Sequence, residues 1–472
     1  MKTLKNNYLL RQIRDFGVGP IIGMGISMLT VPVTTRLLAP EEYGKSSLFS
    51  LVQSIFIIVG LLGIDQGYVR YYNDKELDKN KLLQNALFVP LCFTIMLSLV
   101  CLIFYKKLSL FLFGSIEPVL MIAFSFFLPV LLLNRFFLLQ IRMELKGKTY
   151  SFLNIFSQII NFSVLVIFLL YYQKTFRSLV YAAIIGTSIT TILCFLFCDK
   201  SFLIKRFSYS KEIQKKLISF GLPLVPTTIL SWIMNSFDKV ALRKWSSFEE
   251  LGLYAAAFKI VALLNVFQNI FSTAWVPVAY KWNEEQVDKR KFEKVSTISL
   301  SVMTILFSLV VVFRKWILFF LGSQYKNTEE IFIFLLFVPV LYTVSETACL
   351  GINFSKKTIF NLYVAIICTL LNFGGNLLLV PKFGALGAAI STSFCYIIFF
   401  WLRTLFSNIL WFKFKLLKYF IDIILLISFS INMLFWKKKI FEIMLLLIVL
   451  IFNGVLLLKI LFERKYNNAV EK

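Results

Sequence analysis

About fourteen apolar runs of roughly twenty residues, separated by short gaps that hold nearly all of the charge, leave this chain few folds to choose from. A hydrocarbon layer about 30 Å thick needs some twenty apolar residues per crossing helix. Inside that layer every backbone N–H and C=O must find its partner within the segment or its neighbours. The pattern therefore predicts an all-α polytopic membrane protein with spans at 16–36, 45–64, 82–104, 117–138, 151–172, 179–197, 217–237, 252–274, 296–313, 331–351, 359–380, 385–404, 416–435 and 440–461. No gap has room for a soluble catalytic or nucleotide-binding domain of ordinary size. A composition of 58% hydrophobic and 16% charged residues points the same way, to lipid rather than water as the solvent.

The net charge of +25 is spread through the gaps and not gathered into one patch or tail, which excludes nucleic acid as a partner. Of the 50 Lys and Arg, 33 fall on the N-terminal side of the membrane and 16 on the other, with Lys259 inside a span. Such an excess over short loops places both termini in the cytoplasm and attracts anionic membrane lipids. Lys2, Lys5, Arg11 and Arg14 precede a long apolar run from Phe16 with no small-residue cleavage site, so the first span reads as retained. All seven cysteines lie in apolar runs without CxxC spacing, and His is absent. Disulfides, a metal site and an imidazole proton carrier are thus unexpected, and no cofactor is implied.

Two echoes indicate an internal repeat. Asp15-Phe16-Gly17-Val18-Gly19-Pro20 parallels Ser219-Phe220-Gly221-Leu222-Pro223-Leu224, and Pro40-Glu41-Glu42-Tyr43-Gly44 parallels Phe248-Glu249-Glu250-Leu251-Gly252, at offsets of 204 and 208. Six spans separate the copies, an even number, so the halves cross in the same sense and form a parallel repeat related by a pseudo-two-fold axis. The expected organisation is a six-helix bundle (1–198), a cytoplasmic linker (199–216), a second six-helix bundle (217–404), and two further spans with a tail (405–472). The spans that lead each half carry Gly17, Gly19, Pro20 and Pro32, and Gly221, Pro223 and Pro226. Close packing accounts for such residues; interrupted helices at matching positions also mark the hinges and cavity of transporters. A central cavity lined by spans 1, 2, 7 and 8 is the expectation.

Ionisable groups within spans are costly unless they pair or face water. The candidates are Arg36, Asp65, Arg70, Arg135, Asp238, Lys239, Arg243, Lys259 and Glu346. Arg36, Arg70, Arg135 and Arg243 sit near predicted ends, where a long side chain reaches the headgroups, and Asp238-Lys239 can pair at the interface. Lys259 and Glu346 lie deeper. Cations in a cavity suit phosphate or pyrophosphate, and Asn154, Asn161, Asn265, Gln268, Asn269, Asn372 and Asn376 offer amides to sugar hydroxyls or to neighbouring helices.

Gly44-Lys45-Ser46 and Gly147-Lys148-Thr149 resemble fragments of a phosphate loop, but Ala39 and Arg142 stand where its first Gly is required. ATP hydrolysis is excluded on that ground, and an ion gradient, the membrane potential or substrate mass action remains as the driving force. A membrane glycosyltransferase or polymerase would place acids in an outer loop, as Glu41-Glu42 are. Their recurrence as Glu249-Glu250 fits helix N-terminal acids instead.

The run Phe220-Gly221-Leu222-Pro223-Leu224-Val225-Pro226 with Asn235-Ser236-Phe237-Asp238-Lys239 resembles the seventh span of the polysaccharide repeat-unit flippases that serve O-antigen, capsule and exopolysaccharide. Val380-Pro381-Lys382-Phe383-Gly384-Ala385-Leu386-Gly387-Ala388-Ala389 is similar to the start of their twelfth span, and Leu37-Leu38-Ala39-Pro40-Glu41-Glu42-Tyr43-Gly44 to the turn after their first. The resemblance implies a member of the multidrug/oligosaccharidyl-lipid/polysaccharide exporter superfamily with a MATE-like fold. It also implies alternating access between two bundles and an undecaprenyl-pyrophosphate-linked oligosaccharide as cargo, with polysaccharide polymerase and glycosyltransferases as partners. The cavity it implies is cationic, with Arg36, Arg243 and Lys259 to supply the charge; Asp65, Arg70, Asp238, Lys239 and Glu346 are further cavity candidates read from the spans themselves. The family's Asp-Arg at the end of span 7 is Asp238-Lys239 here, which removes a bidentate phosphate contact. Lipid II flippases and multidrug exporters of the same superfamily are the alternatives.

Overall fold

Where the apolar runs stop being helix, the cause is local. The structure, a computed structural model, describes residues 2–204, 207–262, 264–357 and 359–470. Contacts divide the chain into two units, Met1–Lys239 and Val240–Lys472. Among the described residues there is no strand.

The first unit opens with α1 (Lys2–Leu37) and α2 (Pro40–Leu61), the latter started by a proline at the position where its missing N–H has no partner to lose. A short α3 (Ile64–Tyr71) leads into α4 (Lys79–Ile103), capped by Asp78, which accepts from the N–H groups of Asn80 and Lys81 at 2.8 and 3.1 Å. Then come α5 (Tyr105–Phe113), α6 (Pro118–Met143), α7 (Gly147–Tyr171), α8 (Phe176–Phe197), a single turn α9 (Ser201–Ile204) and α10 (Lys211–Gly221). A buried cluster joins Leu132, Phe136 and Leu139 of α6 to Ile64 and Tyr68 of α3, Leu82 and Leu83 of α4, and Leu217 of α10. The whole of the seventh predicted span, 217–237, falls in the first unit, whereas the sequence grouped it with the second bundle.

The break past Gly221 leads into α11 (Val225–Trp245), which carries the chain across the boundary between units. The second unit continues with α12 (Phe248–Val261), α13 (Leu264–Glu284), α14 (Lys289–Val312), α15 (Arg314–Leu318), α16 (Thr328–Leu335), α17 (Phe337–Ala348), α18 (Leu350–Phe354), α19 (Ile359–Leu410), α20 (Leu417–Ile431) and α21 (Lys439–Val470). Phe292 is met edge-on by Trp275, Trp282, Phe354 and Trp411, ring centroids 5.0 to 6.1 Å apart, the geometry in which aromatic pairs gain most beyond burial. The last two helices are tied by polar groups sealed from solvent: Lys418 donates to Asp422 (2.8 Å) and Asn453 (2.5 Å), and Asn453 donates to Asp422 (2.9 Å).

Eleven helices among the described residues are long and apolar enough to cross a membrane. Each of the fourteen expected segments falls on helix. The 52-residue α19 runs through two of them, bent at Gly384 (φ 53, ψ −131), and the segments 16–36 and 252–274 lie on helices outside the eleven.

The two halves repeat their tethers. Glu42 accepts from the N–H of Phe176, which opens α8, and Glu250 accepts from the N–H of Ala385, the residue after the bend in α19, both at 2.7 Å. Asn85 accepts from Ser210 N–H (2.9 Å) just before α10, and Glu293 from Lys415 N–H (2.7 Å) just before α20. The acceptors in each pair stand 208 residues apart. The repeated acid pairs thus do more than lie in the first turns of α2 and α12: the second acid of each pair reaches across to cap another helix.

Candidate functional site

The second span leaves regular helix at Leu62 (φ 51) and Gly63 (φ 70), two left-handed residues in succession, and resumes as α3. The seventh stops at Gly221, passes through a 3-10 turn Leu222–Leu224 holding Pro223, and resumes as α11 with Pro226 in its first turn, where the lost N–H is harmless. These two interruptions touch. A Cβ on Gly63 would lie 2.2 Å from the carbonyl oxygen of Gly221, and one on Gly221 would lie 2.4 Å from that of Gly63. Only glycine allows backbones this near, and Gly63 also needs it for its left-handed φ.

A cavity of about 280 Å³ opens beside the crossing. Its walls are Ile57, Ile58 and Leu61 of α2, Gly63, Asp65 and Gln66 at the restart, Arg135 of α6, and Leu224, Val225 and Thr228 of the broken seventh span. A second cavity of about 260 Å³ shares Ile57 and Arg135 and adds Leu131, Asn134, Leu138, Leu139, Arg142 and Tyr150. Further along the same pair of helices, Trp232 Nε1 donates to Ser54 Oγ at 2.8 Å.

Arg135 is the group common to both cavities. Its Nη2 donates to Asp65 Oδ2 at 3.0 Å, with the Arg135 side chain 45% exposed and that of Asp65 7% exposed. Gln66 Nε2 donates to the same carboxylate oxygen at 3.0 Å. One of the five guanidinium N–H groups is committed to this bond. Arg142 lies two helical turns further along the same face of α6, and Asn134 and Tyr150 offer neutral donors between them. Two cavities that share one guanidinium, with a second guanidinium in one and a buried carboxylate in the other, suit a phosphate-type anion.

Of the eight expected binding residues, five lie in the first unit and three, Arg243, Lys259 and Glu346, in the second. Asp65 lines the first cavity. Arg36 is exposed in the last turn of α1 and Arg70 in the last turn of α3. Asp238 is buried and Lys239 half-buried on α11. The Arg243 guanidinium lies 4.3 Å over the Phe248 ring, and Lys259 is exposed in the last turn of α12. Glu346 is enclosed: Arg403 donates to it at 3.0 Å, and to Ser345 and Cys349 at 2.7 and 2.9 Å, with the Phe399 ring 4.9 Å away.

Among the expected hinges, Gly221, Pro223 and Pro226 sit at the break. Gly17, Gly19, Pro20 and Pro32 do not interrupt α1, which is continuous from Lys2 to Leu37. Gly19 is instead a contact point, where a Cβ would lie 2.4 Å from Ser151 Cα and the N–H donates to Ser151 Oγ at 3.0 Å. Around Pro32 the hydroxyls of Thr34 and Thr35 donate to carbonyls of the preceding turn at 2.6 and 2.8 Å, as happens where proline is accommodated in membrane helices. The side chain of Pro20 lies outside the described residues. The seventh span is therefore the broken one of the two repeat leaders, and its partner in the break is the second span, not the first.

Gln66, Asn134, Arg142, Tyr150 and Arg403 carry site or pairing roles that the sequence did not single out. Arg135 and Arg142 are seven residues apart, the spacing of a common helix face, and that signal was legible in principle. Arg403 was hidden because it stands close enough to a span end to count as a loop charge.

The fold is that of a polytopic helical membrane protein. The structure is similar to that of the Lipid II flippase MurJ in an inward closed conformation, with a TM-score of 0.70 at 17% identity over 95% of this chain and 99% of that one. It is also similar to an inward-facing multidrug resistance MATE family transporter of the MOP superfamily, with a TM-score of 0.61 at 15% identity over 84% and 97% of the two chains. Residues 16–283 match the family of polysaccharide biosynthesis proteins, and the chain belongs to that family. Two relatives from Haemophilus influenzae are an uncharacterised membrane protein, 25% identical over 351 residues (71% of this chain, 83% of the relative), and a protein of the Lsg locus, 23% identical over 374 residues (75% and 86%).

Proposed function

We propose that this protein is a flippase that carries undecaprenyl-pyrophosphate-linked oligosaccharide repeat units from the cytoplasmic to the outer leaflet for surface polysaccharide synthesis, by alternating access. The observation that carries this reading is Arg135, a half-exposed cation facing two adjoining cavities at the meeting of two helix breaks, in a chain of the polysaccharide biosynthesis family. Both cavities are smaller than the roughly 300–1,000 Å³ of ordinary ligand clefts. They have room for phosphate groups and not for a sugar chain, so they hold the anionic link of the cargo.

With both termini in the cytoplasm of the inner membrane, the C-terminal end of α6 faces the cytoplasm. Arg142 is then the first cation the pyrophosphate meets, and Arg135 lies about 10 Å deeper along the helix. Gly221, Pro223 and Pro226 supply the hinge next to it. The organisation is six spans plus six spans plus two, glycosyltransferases deliver the cargo, a polymerase consumes it, and an ion gradient or the membrane potential drives the cycle. Arg36, Arg70, Asp238, Lys239, Arg243, Lys259 and Glu346 are secondary to Arg135 in this reading.

The test is flux in proteoliposomes loaded with a labelled lipid-linked oligosaccharide. The label becomes accessible on the far side without lengthening, and Arg135→Gln slows this about tenfold or more. An unchanged rate in Arg135→Gln refutes the cavity assignment, lengthening of the glycan would mean a polymerase, and movement of cationic drugs in its place would mean a drug exporter. Neutralising Arg243 and Lys259 together asks whether the second unit contributes further cations.

A further inference from the structure

Asp65 is a strange neighbour for an anion site. It is a carboxylate on the wall of a membrane-embedded cavity, and an unpaired charge there would be strongly disfavoured. Its position on the first turn of α3 follows from the left-handed pair Leu62 and Gly63, which turns the chain so that the second residue of the restarted helix faces α6. One oxygen, Oδ2, takes both the Arg135 Nη2 and the Gln66 Nε2 donors at 3.0 Å. Asp65 is nearly buried, while Arg135 keeps almost half of its side chain exposed toward the two chambers. Arg403 and Glu346, which line neither cavity, are by contrast both enclosed, at 12% and 16% exposure.

We infer that Asp65 is an internal counter-ion that competes with the cargo's phosphate oxygens for Arg135, and that it sets the release step. This rests on the anion reading of the cavity proposed above. Carboxylate and phosphate oxygens seek the same guanidinium donors. With the cavity empty, Asp65 holds Arg135 in place and compensates its charge. When a phosphate enters, it meets a cation already oriented and a carboxylate that repels it. Binding is therefore weaker than Arg135 alone would give, and the carboxylate reclaims the guanidinium as the cargo leaves. Asp65 is on this account a positioning residue that favours turnover at the expense of affinity.

The full-length protein in lipid nanodiscs is titrated with farnesyl diphosphate, a short prenyl diphosphate, and flux of labelled lipid-linked oligosaccharide is measured in parallel. Asp65→Asn binds the probe about tenfold tighter than wild type, since a like charge has been removed from the anion's side, yet its flux at saturating cargo falls. Arg135→Gln binds about tenfold weaker, and adding Asp65→Asn to Arg135→Gln tightens binding by much less than it does in wild type. Asp65→Glu, which keeps the charge, stays near wild type in both readouts. Asp422→Asn, a buried carboxylate between α20 and α21, leaves affinity unchanged. If Asp65→Asn fails to fold by size-exclusion profile, Asp65→Ser carries the same test. Unchanged or weaker binding in the neutral Asp65 variant, with Arg135→Gln still weakened, overturns the counter-ion role and leaves the cavity reading standing. Undiminished binding in Arg135→Gln, or no binding by wild type, overturns both.

Discussion

Arg314 is the residue whose removal has the clearest energetic consequence. It opens α15 and is 9% exposed at the side chain. Its Nε donates to Glu329 of α16 at 2.5 Å, and its Nη1 donates to Glu442 of α21 at 2.8 Å and to the carbonyl of Val311 at 2.8 Å. Replacing Arg314 with Met keeps most of the apolar stem and removes the charge. Two carboxylates are then left without their cation, Glu442 at 4% exposure and Glu329 at 26%. Breaking a buried pair by removing one partner destabilises by about 3–5 kcal/mol, because an uncompensated charge remains in a poorly solvated place. At roughly 2–4 °C per kcal/mol for a unit of this size, the midpoint of thermal unfolding should fall on the order of 10 °C. The assay is monodisperse recovery after stepwise heating of the purified protein.

The decisive arm is the triple variant Arg314→Met, Glu329→Gln, Glu442→Gln, in which no charge is stranded. It should regain most of the loss, since replacing a whole buried ion network with neutral groups is often close to energetically neutral. An Arg314→Met midpoint equal to wild type would mean water reaches the triad. A triple variant less stable than the single one would mean that the bonds themselves, and not the stranded charges, set the loss.

Gly63→Ala forces a left-handed φ on alanine and puts its Cβ 2.2 Å from the Gly221 carbonyl oxygen, so it should destabilise by about 2–4 kcal/mol and distort the cavity; a normal melting curve with normal flux would contradict the crossing. Glu42→Ala and Glu250→Ala each remove an acceptor from one helix-starting N–H, and if the halves repeat their tethers both should lose a similar amount, about 1–2 kcal/mol, in thermal melts. Asn453→Leu deprives Lys418 and Asp422 of a shared partner, and should loosen α20 from α21 by about 1–3 kcal/mol, read as earlier hydrogen exchange in those helices. Arg403→Met should lower stability as Arg314→Met does, whereas Arg135→Gln should lower flux with a much smaller change in melting, because its cation is half exposed.

Hydropathy made the helices legible because lipid allows so little else. The caps were legible too: Asp78, Ser210, Ser247 and Asp288 stand immediately before the helices whose N–H groups they accept from. The site was legible only in parts. Asp65 is recognisable as an intramembrane charge, but nothing local says that its partner is Arg135, seventy residues away, since pairing across helices is a property of packing and not of periodicity. Arg135 itself reads as a snorkelling cation by position alone, and the packing of α3 against α6 is what gives it a carboxylate. In span 1 the Gly and Pro residues suggest a break by composition, yet Gly19 is required by its contact with Ser151 on α7, and a required close approach looks the same as a hinge in a single sequence.

The two units differ in how each houses an ion pair within its helices. Pro129 lies inside α6 and Pro339 in the first turn of α17, each on the fourth expected span of its half. Six residues beyond the first comes Arg135; seven beyond the second comes Glu346. Both are ion-paired, but their surroundings differ. Arg135 reaches a carboxylate across a helix break and keeps its outer face open to a cavity. Glu346 is met by Arg403 from α19, which also bonds Ser345 and Cys349 and lies against Phe399, so little of either group remains accessible. An open cation can exchange its partner for an incoming anion, whereas a satisfied and enclosed pair can exchange only by unpacking its neighbours, at the cost of stranding a charge. The first unit thus holds an ion pair whose cation stays open, and the second a pair that joins two helices and is closed on both sides.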